Sequence, residues 1–163
     1  MCVSRLAKTC VQFFANVWLD DDKHQLIDSQ NYVFVIDKLT DEYGTELEKI
    51  ANEQEFQEQH YDAISLAQTN RLQWITYTYN HELASNIKVL YVDSSCVENV
   101  QELYTRVFKM AEAEKQDSCI LRMPLLGVST ECTDQTKLND SVQAARNVYE
   151  GYSFSLDLCH AQV

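Results

Sequence analysis

Short apolar runs alternate with amphipathic stretches along the whole chain. Residues 32–36, Tyr-Val-Phe-Val-Ile, are apolar at every position and too few for a helix. Such a run predicts a strand buried on both faces, as in the middle of an α/β sheet. Residues 87–92 and 119–126 carry similar runs, the second leading into a loop at 127–134. Residues 11–19 are rich in β-branched and aromatic side chains and stop at Asp20, Asp21 and Asp22, an acidic turn. Residues 63–66 and 74–79 predict two further strands on either side of a polar turn at 68–71. Residues 152–159 alternate as a last strand would.

Helical spacing fills the intervals. Tyr43, Leu47, Ile50 and Ala51 form one stripe of a helix expected over 40–54, with Asp41 and Glu42 opposing the dipole in its first turn. Val97, Val100, Leu103, Tyr104, Val107, Phe108 and Ala111 mark a wide apolar face over 97–114, with Ser94 or Ser95 as the expected cap and Glu98 in the first turn. A third helix over 137–150 presents Leu138, Val142, Ala145, Val148 and Tyr149, and Gly151 ends it. The closing strand–loop–helix–strand unit implies a right-handed parallel crossover. Strands interleaved with helices predict an α/β fold, a mixed and mostly parallel sheet in a three-layer α/β/α sandwich. No repeat or linker divides residues 1–163, which read as a single domain.

Composition narrows the class. A chain of 163 residues with 45% hydrophobic content can fill one core, and its three Gly and one Pro exclude collagenous or low-complexity readings. No apolar run approaches the ~20 residues of a membrane-spanning helix, so no membrane contact is expected. Lys8, Thr9, Cys10 and Gln12 interrupt the weak apolar stretch near the N-terminus, which argues against a secretory leader. Six scattered Cys point to reduced thiols and a cytoplasmic setting rather than a disulfide framework. A net charge of −12 with dispersed Lys and Arg disfavours nucleic acid and anionic lipid, and favours a basic protein partner.

In an α/β sheet the ligand site lies in the loops at the carboxyl ends of the strands. Three loops qualify here, 20–23, 37–44 and 127–134, and they supply the candidate ligand-binding residues Asp20, Asp21, Asp37, Gly44, Gly127, Val128, Ser129 and Thr130. Gly127, directly after a buried strand, either permits close approach to a ligand or simply turns the chain. The Asp20–Asp22 triplet fits a base or a divalent cation, or a solvated turn. Gly44 either brings a helix end close to a phosphate or is a tolerated helical glycine. Trp74 stands on one face of its strand with Tyr77 and Tyr79 on the other, arranged for stacking or for packing under a helix. Motifs for a nucleophile elbow, a P-loop, a dinucleotide fold or a Cys-x-x-Cys metal site are missing from the sequence. No catalytic residue, metal or cofactor is therefore expected. Cys132, in a loop, is the thiol to test for reactivity, and Cys119, Cys132 and His160 would need tertiary contact to form a Cys/His pair.

The stretch Ser118-Cys-Ile-Leu-Arg-Met-Pro-Leu-Leu-Gly-Val-Ser-Thr130, a helix containing Ala144 and Ala145, and a closing strand together resemble the second half of macro domains. Those of viral replicase polyproteins, nonstructural proteins of positive-strand RNA viruses, look most similar. The resemblance implies that Gly127, Val128, Ser129 and Thr130 lie where the family holds the diphosphate of ADP-ribose, and Asp20 or Asp21 where it meets adenine. Residues 32–38 would occupy the place of the family's Asn-Ala-Ala-Asn strand, but Val35, Ile36, Asp37 and Lys38 stand where that motif would be. Residues 43–50 would replace the Gly-rich loop and helix, with Gly44 alone remaining, and Glu42 and Glu46 bring negative charge toward a diphosphate.

The expectation is a diverged macro-like binding module without catalysis, its binding of ADP-ribose or a related nucleotide weak or lost, with a role in protein interaction. Two alternatives stand beside it. One is a mono-ADP-ribosyl hydrolase using Asp20 or Asp21 for adenine and Gly127 to Ser129 for phosphates. The other is a purely protein-binding acidic domain.

Overall fold

A computed structural model describes residues 2–6, 9–13, 19–20, 25–26, 31–40, 43–67, 72–78, 86–95, 98–114, 119–129, 131–152 and 154–160. In chain order the strands are β1 (Cys2–Leu6), β2 (Thr9–Phe13), β3 (Leu19–Asp20), β4 (Gln25–Leu26), β5 (Asn31–Asp37), β6 (Gln73–Thr78), β7 (Asn86–Val92), β8 (Cys119–Pro124) and β9 (Ser155–His160). The helices are α1 (Tyr43–Ile50) and α2 (Glu53–Leu66) between β5 and β6, α3 (Val100–Glu114) after β7, and α4 (Gln135–Tyr149) between β8 and β9. Seven strands form one mixed sheet in the order β1-β2-β9-β8-β5-β7-β6, while β3 and β4 pair separately. Strands β2, β9, β8, β5 and β7 run parallel to one another, and β1 and β6 are antiparallel edges. The α/β class and the parallel β8–α4–β9 closing unit are as the periodicity implies.

Alternation along β5 sorts the core. Val33 and Val35 join Leu103, Tyr104, Val107 and Phe108 of α3 and Leu138 and Ala145 of α4 in one cluster. Phe34 and Ile36 join Leu47 and Ile50 of α1 and Phe56 of α2 in the other. The buried residues of α3 recur at helical spacing, as predicted. Phe108 is fully buried among the rings of Tyr104, Tyr149, Tyr152 and Phe154. Arg122 and Asp157, opposite each other on β8 and β9, form a buried ion pair at 3.0 Å.

Three predicted elements are corrected. Residues 63–66 are not a strand but the last turn of α2, whose contact face is Phe56, His60, Ala63 and Ile64. Charged residues and a buried histidine hid that spacing from a hydrophobic count. His60 is held by Tyr91, its Nδ1 at 2.8 Å from the phenol oxygen, and by stacking on Phe56. The single helix expected over 40–54 breaks at Ala51, because the Asn52 N–H donates across to the Thr78 carbonyl of β6 at 2.8 Å. The Asn52 side chain then caps α2 by accepting from the Glu55 N–H. Helix α3 is capped by Asn99, which accepts from Gln101 and Glu102 N–H groups, and not by Ser94 or Ser95. The strand expected over 11–19 is described at β2 and β3; residues 14–18 lie outside the described residues, as do Asp41, Glu42 and Tyr79.

Candidate functional site

Register brings four strand ends to one edge. Asp37 of β5 lies opposite Val92 of β7, and Pro124 of β8 opposite Cys159 of β9. The chain leaves β5 toward β6 and β7, but leaves β8 through α4 toward β9, on the other side. The loops therefore part between β5 and β8, and this is the crevice in which open α/β sheets bind ligands.

Asp37, Ser94 and Gly127 meet there. The Asp37 Oδ1 accepts the backbone N–H groups of Leu39 at 3.1 Å and Ser94 at 3.0 Å, while Oδ2 takes the Ser94 hydroxyl. The Gly127 N–H in turn donates to Ser94 Oγ at 3.0 Å. Three strand ends are thus joined by one relay, and Asp37 and Ser94 are both buried. Burial pushes the Asp37 carboxyl above its ordinary 3.8; the Ser94 and Leu39 hydrogen bonds oppose this, and the Asp93 charge adds to it.

The sign of that shift gives a pH prediction. A carboxyl with a raised folded pKa holds more protons folded than unfolded between the two values, so its contribution to stability is fully present below about 3.8 and is lost as pH rises through the folded value. Asp37→Asn keeps an acceptor for the two N–H groups and offers its amide to Ser94. Its stability relative to the parent should rise as pH is raised from below 4 toward neutrality, read by urea denaturation across that range. A constant difference across the range would contradict the assignment.

The loop that follows β8 is tied at Leu126, Gly127, Ser129, Cys132 and Asp134. The Leu126 N–H donates to Tyr104 Oη at 2.9 Å, Tyr104 pairs with Ser141 Oγ at 2.8 Å, and Ser141 donates to the Leu126 carbonyl at 2.7 Å. Burial drives the Tyr104 phenol far above its ordinary value, which keeps it neutral and able to donate within this ring. Gly127 has φ +79°, and a Cβ there would stand 2.6 Å from Val100 Cγ2. Both conformation and packing therefore demand glycine. Val128 is buried in the core, and Ser129 is exposed with its carbonyl accepting the Cys132 N–H at 3.1 Å. His160 holds the Cys132 carbonyl through Nε2 at 2.9 Å, which makes Nε2 the protonated nitrogen. Asp134 caps α4 by accepting from Thr136 and Lys137 N–H groups.

The candidate residues therefore separate. Asp37 and Gly127 come together through Ser94, and Val128 and Ser129 continue from Gly127. Asp20 lies in β3, paired with Gln25 of β4, outside the seven-stranded sheet. Gly44 is the second residue of α1. Asp21 and Thr130 lie outside the described residues. Trp74 is half-buried against the α3–α4 cluster, and Tyr77 is fully buried with its hydroxyl on Tyr91. In the sequence Ser94, the centre of the relay, reads as a cap for the helix over 97–114 and not as part of a strand-end loop. Applying the strand-end rule to every buried run would have found it.

Chemically the crevice offers a buried carboxyl and donors already engaged. The Ser94 hydroxyl points at a carboxylate, and His160 meets the Cys132 backbone, not its thiol; the Cys132 and Cys159 thiols are free of disulfides. Among the described residues no three His, Cys, Asp or Glu side chains gather in a metal-binding group, and no helix is long and apolar enough to cross a membrane. No known family model matches the chain, and no curated protein matches it.

Proposed function

We propose that this chain is a diverged macro-like domain, a three-layer α/β/α sandwich, that has given up nucleotide binding and catalysis and works through protein interaction. The observation carrying this reading is the relay from the Gly127 N–H through Ser94 to Asp37. An anion in the crevice needs free N–H groups, and two of those that follow β8, the N–H groups of Leu126 and Gly127, are already bonded inside the protein. Behind them stands a carboxyl, and a second carboxylate, Asp134, fills the start of α4 where a phosphate would gain most from the dipole. Breaking these bonds to admit a diphosphate would uncover buried polar groups and set like charges together. Gly127 fits the same reading, since its backbone angle and Val100 account for it without a ligand.

Calorimetric titration with ADP-ribose tests the proposal. The expected result is no saturable heat up to millimolar ligand; a dissociation constant tighter than ~10 μM would overturn it.

A further inference from the structure

Strand β6 ends the seven-stranded sheet, and among the described residues no strand pairs with its other edge. Its sequence, Gln-Trp-Ile-Thr-Tyr-Thr, carries no charge and no proline, the usual devices that blunt an exposed edge. The outward direction is fixed by its last residue. Thr78 donates its N–H to Glu55 Oε2 at 2.6 Å, and its carbonyl accepts from Asn52 N–H at 2.8 Å, both from outside the β6–β7 ladder. Backbone direction alternates along a strand, so Trp74 and Thr76 also turn their N–H and C=O groups outward, while Gln73, Ile75 and Tyr77 face β7. No hydrogen bond among the described residues reaches the outward groups of Trp74 or Thr76. Among the described residues the edge is closed at Thr78 and open at the two preceding outward positions.

Helix α2 begins at the closed end and contains Glu53, Glu55, Glu58 and Asp62 with no Lys or Arg. Glu58 and Asp62, four residues apart, form a like-charge pair, and Asp62 lies near the negative end of the helix dipole. Tyr61 and Leu66 of the same helix stand 54% and 71% exposed. In a chain of net charge −12 this is a border that attracts cations.

We propose that the outer edge of β6 is a strand-addition site that takes an extended, cationic segment of a partner protein. The main-chain groups of Trp74 and Thr76 supply the pairing, and the carboxylates of α2 select for Lys and Arg. The proposal rests on the protein-interaction reading above and gives that reading a location.

The test uses a capped synthetic peptide of alternating Lys and Val, about eight residues long to match a strand. Added to the isotopically labelled chain, it should shift the amide resonances of Trp74 and Thr76 and slow their exchange. A peptide of alternating Glu and Val should not. Thr76→Pro removes an outward N–H without touching the β7 ladder, and should weaken binding ~tenfold or more. Thr76→Lys keeps the backbone donor but repels the peptide, so it should weaken binding even if the proline variant folds poorly. Absence of any shift with the Lys–Val peptide overturns the proposal. Binding undiminished by either variant also overturns it, while leaving protein interaction standing elsewhere on the acidic surface. Self-association through β6 would make a second copy the occupant and overturn the cationic partner. ADP-ribose binding in the same sample with no peptide binding would sink the interaction reading itself.

Discussion

Asp157→Ala is expected to lower the stability of the fold by about 3–5 kcal/mol. Asp157 and Arg122 face each other across the parallel β8–β9 pair, with Nε at 3.2 Å and a terminal nitrogen at 3.0 Å from the same carboxylate oxygen. Their side chains are only 7% and 5% exposed, so removing the carboxylate leaves a guanidinium in a place that solvent barely reaches. The loss reflects the guanidinium kept in the interior without this carboxylate more than the strength of the pair, because burying both ions was itself costly. Replacing both together, Arg122→Met with Asp157→Leu, should recover most of the stability. Urea denaturation checks both results, and a single-variant loss under about 1 kcal/mol would mean that water reaches the site.

Gly127→Ala should cost roughly 2–5 kcal/mol, from about 1–2 for a left-handed alanine and about 1–3 for the collision with Val100. The φ of +79° and the 2.6 Å approach to Val100 Cγ2 make the two effects independent, since relieving one leaves the other. Val100 is β-branched and cannot swing aside freely. Its truncation offers a check: Val100→Ala in the Gly127→Ala background should return the packing part and leave the backbone part. If Gly127→Ala proved neutral, the glycine would not be required by the fold, and a ligand would again be needed to explain it.

Most of the fold was legible in the hydrophobic pattern, and the exceptions share a cause. Runs such as residues 32–36 and the stripe from Leu103 to Ala111 announce themselves because they bury apolar side chains at one period. Helix α2 did not, since its contact face includes His60, which is buried by hydrogen bonding to Tyr91 and stacking on Phe56. The break at Ala51 and Asn52 depends on Thr78, a residue more than twenty positions away, and no local signal reports such a bond. The site was legible in part for the same reason. A strand-end rule leads to Asp37 and Gly127, but Ser94 links them only once β7 lies beside β5. Sequence also reads Gly127 and Asp37 as open to a ligand, whereas tertiary contacts have already used their polar groups.

Hydrogen bonds within the protein occupy the strand-end crevice, and the Gly127 amide is where this can be read. Its hydrogen exchange and its resonance should be followed as ADP-ribose is added to millimolar concentration. The expected result is an amide protected in the free chain, with a resonance that does not move. A rapidly exchanging amide that becomes protected, with a shift that saturates as ligand is added, would contradict it.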